Sequence, residues 1–294
     1  MYSNIAGNKH AYNSNVPGTL RILGVGGYFA NSIFFFASGY CLTNVSRSFP
    51  EWYWRRFVRV YAPYLLALPF LYFAGELAGL NWINIVMPFE QYHFIPSILF
   101  LYVVYYFLSK LNQKMKVGYL YQVIVFSAIV LLYFFFLFDK SKSPIQHFSF
   151  IETVAYLIPM LLGGMAKEGR WIKRKSLSTV LVIVSFVIYV YQSFRPFSGY
   201  MKILQPCIGL FFAYGLGCYF LTIEERLHNS KTIDLIAAVS LESYIAQFIS
   251  RKAFVNIGFP TNIIYHVICT IAVAYCLHYS ADTLLLKMSA KNNK

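Results

Sequence analysis

Nine apolar runs, each close to twenty residues long, are the feature that most constrains this 294-residue chain. They cover about residues 22–43, 60–79, 94–110, 119–138, 150–166, 176–194, 204–222, 233–250 and 262–285. An apolar helix of about 20 residues matches the thickness of the hydrocarbon core of a bilayer. The sequence therefore predicts an all-α fold, a polytopic membrane bundle of about nine transmembrane helices.

Composition agrees with a membrane protein and argues against a soluble one. Only 12% of the residues are charged, whereas a soluble domain usually has about 25%. No soluble domain is appended and no internal repeat is visible, so we expect a single membrane domain over residues 1–294. Residues 1–20 form a polar N-terminal segment and residues 287–294 a polar tail. The apolar run 82–89 is too short to span and is expected to be re-entrant or interfacial.

The net charge of +14 has two readings, which are binding of nucleic acid and membrane topology. If the segment with Arg55 and Arg56 is cytoplasmic, that side carries 17 of the 25 Lys and Arg residues and the other side carries 8. The positive-inside rule then places this segment and the C-terminus in the cytoplasm and the N-terminus outside. Topology accounts for the charge, so the expected partner is the lipid bilayer and not nucleic acid.

Several motifs follow one another along the chain. A Phe-rich run with small polar residues comes first, and a cluster of three arginines follows it just before the second apolar run. Later come an apolar segment opened by a histidine and a near-C-terminal span that contains a carboxylate. In sequence they read FFFASGY at 34–40, WRRFVR at 54–59, HFIPSILFLY at 93–102 and SLESYIAQ at 240–247.

In this order the motifs resemble those of the integral-membrane acyltransferase family 3. The resemblance implies a membrane O-acyltransferase, most often an O-acetyltransferase, of a bacterial-type cytoplasmic membrane. It implies acetyl-CoA or another acyl-CoA as the donor substrate, no bound cofactor, and a surface polysaccharide or its lipid-linked precursor as the acceptor. Members usually have ten helices, the first starting in the cytoplasm. We therefore expect the usual first helix to be missing, through a misassigned start, a truncation or a short variant.

The resemblance implies that His10 is the general base that deprotonates the acceptor hydroxyl. Imidazole suits this role because its ordinary pKa lies near about 6.5. An ordinary solvated histidine is the alternative, and the arginine that family members carry upstream of this histidine would lie before Met1. Glu242 is the second catalytic candidate, because a carboxylate inside a span is costly unless it is paired or faces water. Gln247 stands where relatives often have histidine.

Arg55, Arg56 and Arg59 are the candidate donor-binding residues. Arg56 and Arg59 match the Arg-x-x-Arg of the family, and their three-residue spacing puts them on one face of a helix. Guanidinium groups hold phosphates by bidentate hydrogen bonds, and acetyl-CoA carries phosphates. The alternative is anchoring by positive charge at a cytoplasmic helix end.

Five residues are candidates for the acceptor side or for a path through the bundle: His93, Asn31, Ser38, Ser240 and Tyr244. Polar groups at membrane depth normally face the bundle interior, but small polar residues also serve helix packing. The five cysteines show no paired Cys-x-x-Cys spacing, so we expect no metal site.

Three alternatives to an active acyltransferase remain. A small-solute transporter would need binding residues in symmetric halves, which the sequence lacks. A truncated, inactive homologue would follow from the missing first helix. A flippase-like or assembly protein would carry out no chemistry.

Overall fold

The computed structural model describes residues 27–43, 45–88, 94–115, 118–133, 136, 144–193, 201–223, 235, 238–253 and 261–292. Within these ranges the chain forms ten helices and no strand, which confirms the predicted all-α class. The helices are α1 (Gly27–Leu42), α2 (Phe49–Phe73), α3 (Trp82–Val86), α4 (Phe94–Met115), α5 (Tyr119–Leu132), α6 (Pro144–Lys167), α7 (Lys175–Ser193), α8 (Met201–Thr222), α9 (Ser240–Ala253) and α10 (Thr261–Asn292).

Each of the nine predicted apolar runs coincides with one of the nine longer helices, and the short α3 lies in the run that is too short to span. Two helical segments, Phe94–Met115 and Thr261–Leu285, are long and apolar enough to cross a membrane by length and composition. Counted over the described side chains alone, five further apolar helical segments have 10–17 residues. The number of spans therefore stays a prediction.

Helix α2 begins about three turns earlier than its apolar run. Ser48 is extended, with φ −63° and ψ 153°, and Pro50 lies in the first turn. Proline favours the start of a helix because its φ is already helical and its missing N–H would have no partner there. As a result Arg55, Arg56 and Arg59 lie within a helix and not in the loop before one.

Helices α1 and α6 cross with their backbones in direct contact. A Cβ on Gly39 would lie 1.7 Å from the carbonyl oxygen of Met160, and a Cβ on Gly163 would lie 2.0 Å from the carbonyl oxygen of Phe36. No side chain fits at either position, so both glycines are required by the crossing. Small residues of this kind allow close helix packing in membranes.

Helix α2 forms a central wall of the described bundle. It packs against α4, α9 and α10, and α9 and α10 pack against each other. Buried aromatic rings contribute to the core of the bundle, among them Tyr64 of α2, Tyr105 of α4 and Phe35 of α1. The hydroxyls of Tyr61 and Tyr64 donate hydrogen bonds to the carbonyls of Val86 and Ile85, the second at 2.6 Å, which fastens α3 to α2.

Candidate active site

Glu242 and His278 form a buried pair between α9 and α10. The Nδ1 atom of His278 lies 3.1 Å from Oε1 of Glu242. The Glu242 side chain is 7% exposed and the His278 side chain 17%. The second carboxylate oxygen of Glu242, Oε2, is buried without a hydrogen-bond partner among the described residues. Oε1 therefore contacts the imidazole, whereas the buried Oε2 still has the capacity to take up a proton or accept a hydrogen bond.

Asp282 extends this pair toward the surface. Its Oδ2 atom lies 3.4 Å from Nε2 of His278, one helical turn along α10. The Asp282 side chain is 56% exposed. Each imidazole nitrogen thus faces a carboxylate: Nδ1 faces the buried carboxylate of Glu242, and Nε2 faces the solvent-exposed carboxylate of Asp282. A histidine in this position can pass a proton between them, since it can hold one on either nitrogen.

Close packing of α9 on α10 explains how the pair is held. Ala246 and Ala274 are fully buried between the two helices. Farther along, Ser250 Oγ lies 2.9 Å from Nδ1 of His266 and 2.7 Å from Oγ1 of Thr270. These polar contacts link the same two helices a second time. Small and polar residues let the backbones approach, which brings Glu242 within reach of His278.

Arg56 is the inward-facing member of the arginine cluster. Its guanidinium carbon lies 3.8 Å from the centre of the Trp52 ring, and its NH1 donates a 2.9 Å hydrogen bond to the Trp52 carbonyl. Its Nε is buried and has no partner in the described part of the chain. Burial lowers the pKa of Arg56 from its ordinary value, and the charges of Arg47 and Arg55 act in the same direction. The Nε–H of Arg56 is therefore a hydrogen-bond donor without a partner among the described residues, at a position partly shielded from water.

The other two arginines are more exposed. Arg55 lies 3.3 Å from Glu51, which also pairs with Arg47, and 62% of its side chain is accessible. Arg59 is exposed but lies within electrostatic range of Tyr102, as Arg56 does. Tyr102 is buried and lies close to Ser38. Both arginines of the Arg-x-x-Arg motif therefore act electrostatically on one buried tyrosine.

Residues 4–280 match the family model of acyltransferase family 3, which is described as an acyltransferase domain. The chain belongs to acyltransferase family 3. No curated protein and no solved structure matches it. Members of acyltransferase family 3 are integral membrane proteins, so the chain is a membrane acyltransferase.

Within this acyltransferase, the remaining described site residues that the sequence predicted each have their own surroundings. The Nδ2 of Asn31 donates a 3.0 Å hydrogen bond to the Tyr156 hydroxyl on α6, whereas Ser38 contacts α4. Ser240 is exposed, and the Tyr244 ring lies 4.6 Å from that of Phe94. Asn31 and Ser38 therefore meet different helices, although both face protein.

Two predicted residues, His10 and His93, lie outside the described residues, so their roles stay predictions. Two others were missed by the sequence analysis. His278 could have been noticed from the His-x-x-x-Asp spacing with Asp282, which puts both on one face of a helix. Tyr102 had no distinguishing signal, because it is one of 25 tyrosines in the chain. Among the described residues no cluster of His, Cys, Asp and Glu could hold a metal.

Proposed function

We propose that this family member is an O-acetyltransferase that moves an acetyl group from cytoplasmic acetyl-CoA to a hydroxyl of a surface polysaccharide or its lipid-linked precursor. Family membership over residues 4–280 carries the proposal. The buried Glu242–His278 pair supports it, because proton transfer accompanies every acyl transfer to a hydroxyl.

The reaction needs one proton removed and one returned. The acceptor hydroxyl oxygen attacks the thioester carbonyl carbon, and a base takes the hydroxyl proton as the new C–O bond forms. The C–S bond then breaks and the sulfur of coenzyme A leaves with a proton. We assign His10 as the base, as the family resemblance implies. Because the predicted topology puts the N-terminus outside, the thioester must extend from the cytoplasmic side through part of the bundle to reach it. We assign the Glu242–His278 pair to protonate the departing sulfur, with Asp282 as its link to water.

The donor is assigned to the side of the membrane where positive charge is concentrated. Arg56 has a buried Nε without a partner and lies beside Arg59 and Tyr102. A guanidinium with a free donor in a partly dry setting binds a phosphate more strongly than one in water does. In the predicted topology Glu242 lies near the middle of the span 233–250, between the cytoplasmic donor side and the outer side, and we assign the meeting point of sulfur and proton donor to this depth.

Purified protein in lipid nanodiscs tests the activity directly. Wild type should release free thiol from acetyl-CoA when a polysaccharide or glycolipid acceptor is present, and Glu242→Gln should release it much more slowly. No thiol release from wild type with any acceptor would refute the acetyl-CoA donor and favour a transporter or an assembly protein.

Acceptor identity is tested in cells that lack the gene. Proton NMR of surface polysaccharide should show O-acetyl signals after complementation with this chain, but not with His10→Ala. Signals restored equally by His10→Ala would rule out His10 as the base. Signals restored only by a chain extended upstream would identify this sequence as a truncated enzyme.

A further inference from the structure

A polar cavity of about 470 Å³ lies where four segments of the chain end or begin. Thr43 follows α1, Asn112 lies near the end of α4, and Gly118 precedes α5. The end of α6 and the loop after it complete the lining with Lys167, Glu168 and Arg170. Ligand sites in proteins usually enclose about 300–1,000 Å³, so the cavity is large enough for a nucleotide-sized group.

The cavity carries two cations and one acid. Lys167 and Arg170 form no ion pair among the described residues, and Lys167 Nζ lies 4.6 Å from the centre of the Tyr40 ring. Glu168 accepts a 2.8 Å hydrogen bond from Nδ2 of Asn112. Asn112 in turn accepts a 2.6 Å hydrogen bond from the Gly118 N–H. The net charge of the lining is therefore positive, and its shape is held by a buried amide.

Gly118 lets Arg170 lie across the cavity. Its φ is +80°, a conformation that residues with a side chain rarely adopt, and a Cβ there would lie 3.0 Å from NH1 of Arg170. Any larger residue would push the guanidinium away. Gly169 has nearly the same φ, +81°, but no atom lies within 4 Å of its Cβ position. The two glycines share a positive φ, but only Gly118 lies close to Arg170.

The cavity opens on the side of the membrane to which the charge distribution assigns the donor. The sequence segments 110–116 and 167–175 both belong to the side rich in Lys and Arg. Helix α4 links the cavity to the arginine cluster, because Asn112 lines the cavity and Tyr102 lies beside Arg56 and Arg59. These two positions are separated by ten residues, or about 15 Å along a helix.

We infer that this cavity binds the nucleotide end of a coenzyme A thioester through its phosphate groups, with Lys167 and Arg170 as the anion ligands. The inference rests on the proposed donor. Coenzyme A is an elongated molecule with phosphates at its nucleotide end and the reactive sulfur at the other. The cavity would hold the 3′-phosphate, while the arginine cluster on α2 would hold the diphosphate nearer the sulfur.

Binding of adenosine 3′,5′-bisphosphate and of free coenzyme A to the full chain in phosphatidylcholine nanodiscs tests this by calorimetry. Arg170→Gln and Lys167→Gln should each weaken bisphosphate binding by about tenfold, as loss of one charge-assisted hydrogen bond predicts. Lys173→Gln is the matched control, because Lys173 is exposed on the same loop and does not line the cavity. It should leave the Kd within about twofold of wild type.

Two further variants change the cavity without removing a cation. Glu168→Gln keeps an acceptor for Asn112 but removes the only acid, so bisphosphate binding should become about threefold tighter. Gly118→Ala should weaken binding, because its Cβ requires the guanidinium of Arg170 to shift. Gly169→Ala should not, because its Cβ meets no atom within 4 Å. Equal binding by Gly118→Ala and Gly169→Ala would contradict the assigned role of Arg170.

The outcomes separate this inference from the proposed function. Wild type that binds coenzyme A, with Kd values unchanged in Arg170→Gln and Lys167→Gln, would overturn the cavity assignment alone. Wild type that binds neither coenzyme A nor the bisphosphate would overturn the proposed donor as well. An anionic lipid headgroup offers the same phosphate chemistry. If bisphosphate fails to bind while retention of phosphatidylglycerol depends on Arg170, the cavity is a lipid site and the nucleotide assignment is wrong.

Discussion

The imidazole of His278 lies 3.1 Å from the carboxylate of Glu242, although 36 residues separate them in the chain. A carboxylate inside a helix bundle is costly unless a partner compensates the charge. His278 is that partner, and it faces the half-exposed Asp282 on its other side. This arrangement connects a buried acid with the surface through one side chain.

Removing the imidazole should therefore affect both stability and catalysis. His278→Gln leaves Glu242 with a weaker partner, so the free energy of unfolding should fall by about 1–3 kcal/mol. Thiol release from acetyl-CoA should slow, and its pH profile should change shape because the histidine that carries the proton is gone. Thermal unfolding in detergent and rates across pH would measure both.

Asp282→Asn is the matched control for that prediction. Asp282 is 56% exposed, so its loss should cost less than about 1 kcal/mol. If Asp282→Asn lowers the free energy of unfolding as much as His278→Gln does, then the exposed carboxylate and not the Glu242–His278 contact provides the stabilisation, and the pairing of Glu242 is wrong.

The crossing of α1 and α6 predicts an ordered series of glycine variants. Gly39→Ala would place a Cβ 1.7 Å from a backbone carbonyl, which no rotamer change can relieve. We expect destabilisation of about 3 kcal/mol or more, or loss of folded protein. Gly215→Ala meets only side-chain atoms of α7 at 3.2 Å and should cost much less. Yield and thermal unfolding of both variants would check the order; equal loss would mean that the helices do not cross at Gly39.

The arginine cluster predicts unequal contributions from neighbouring residues. Arg56→Ala removes a half-buried guanidinium stacked on Trp52, whereas Arg55→Ala removes an exposed one paired with Glu51. Coenzyme A binding should weaken by about tenfold in the first and by less than about threefold in the second. Arg56→Lys should restore little, because an ammonium cannot reproduce the planar contact with the ring. Equal effects of Arg55→Ala and Arg56→Ala would indicate general charge attraction instead.

The proposed topology predicts which surface positions face the cell exterior. Ala78→Cys, on the turn after α2, should react with an impermeant maleimide in intact cells. Lys173→Cys, on the loop between α6 and α7, should react only after the cells are opened. Both positions are exposed, so accessibility within the protein is matched. Labelling of Lys173→Cys in intact cells would reverse the orientation and remove the cytoplasmic side from the donor proposal.

The sequence by itself determined the helical class, the positions of the nine longer helices and the family. Each of these depends on local properties: the length of apolar runs, the low charge and the order of short motifs. It also marked Glu242, because a carboxylate in an apolar run is conspicuous without any knowledge of its neighbours.

Only the tertiary structure decided which residues meet. The partner of Glu242 lies on another helix, and the cavity of Lys167 and Arg170 is assembled from four segments. Asn31 and Ser38 share a helical stripe in sequence but contact different helices. Such contacts depend on crossing angles and on close approach at residues such as Gly39, and these are set by packing between helices and not by the periodicity within one.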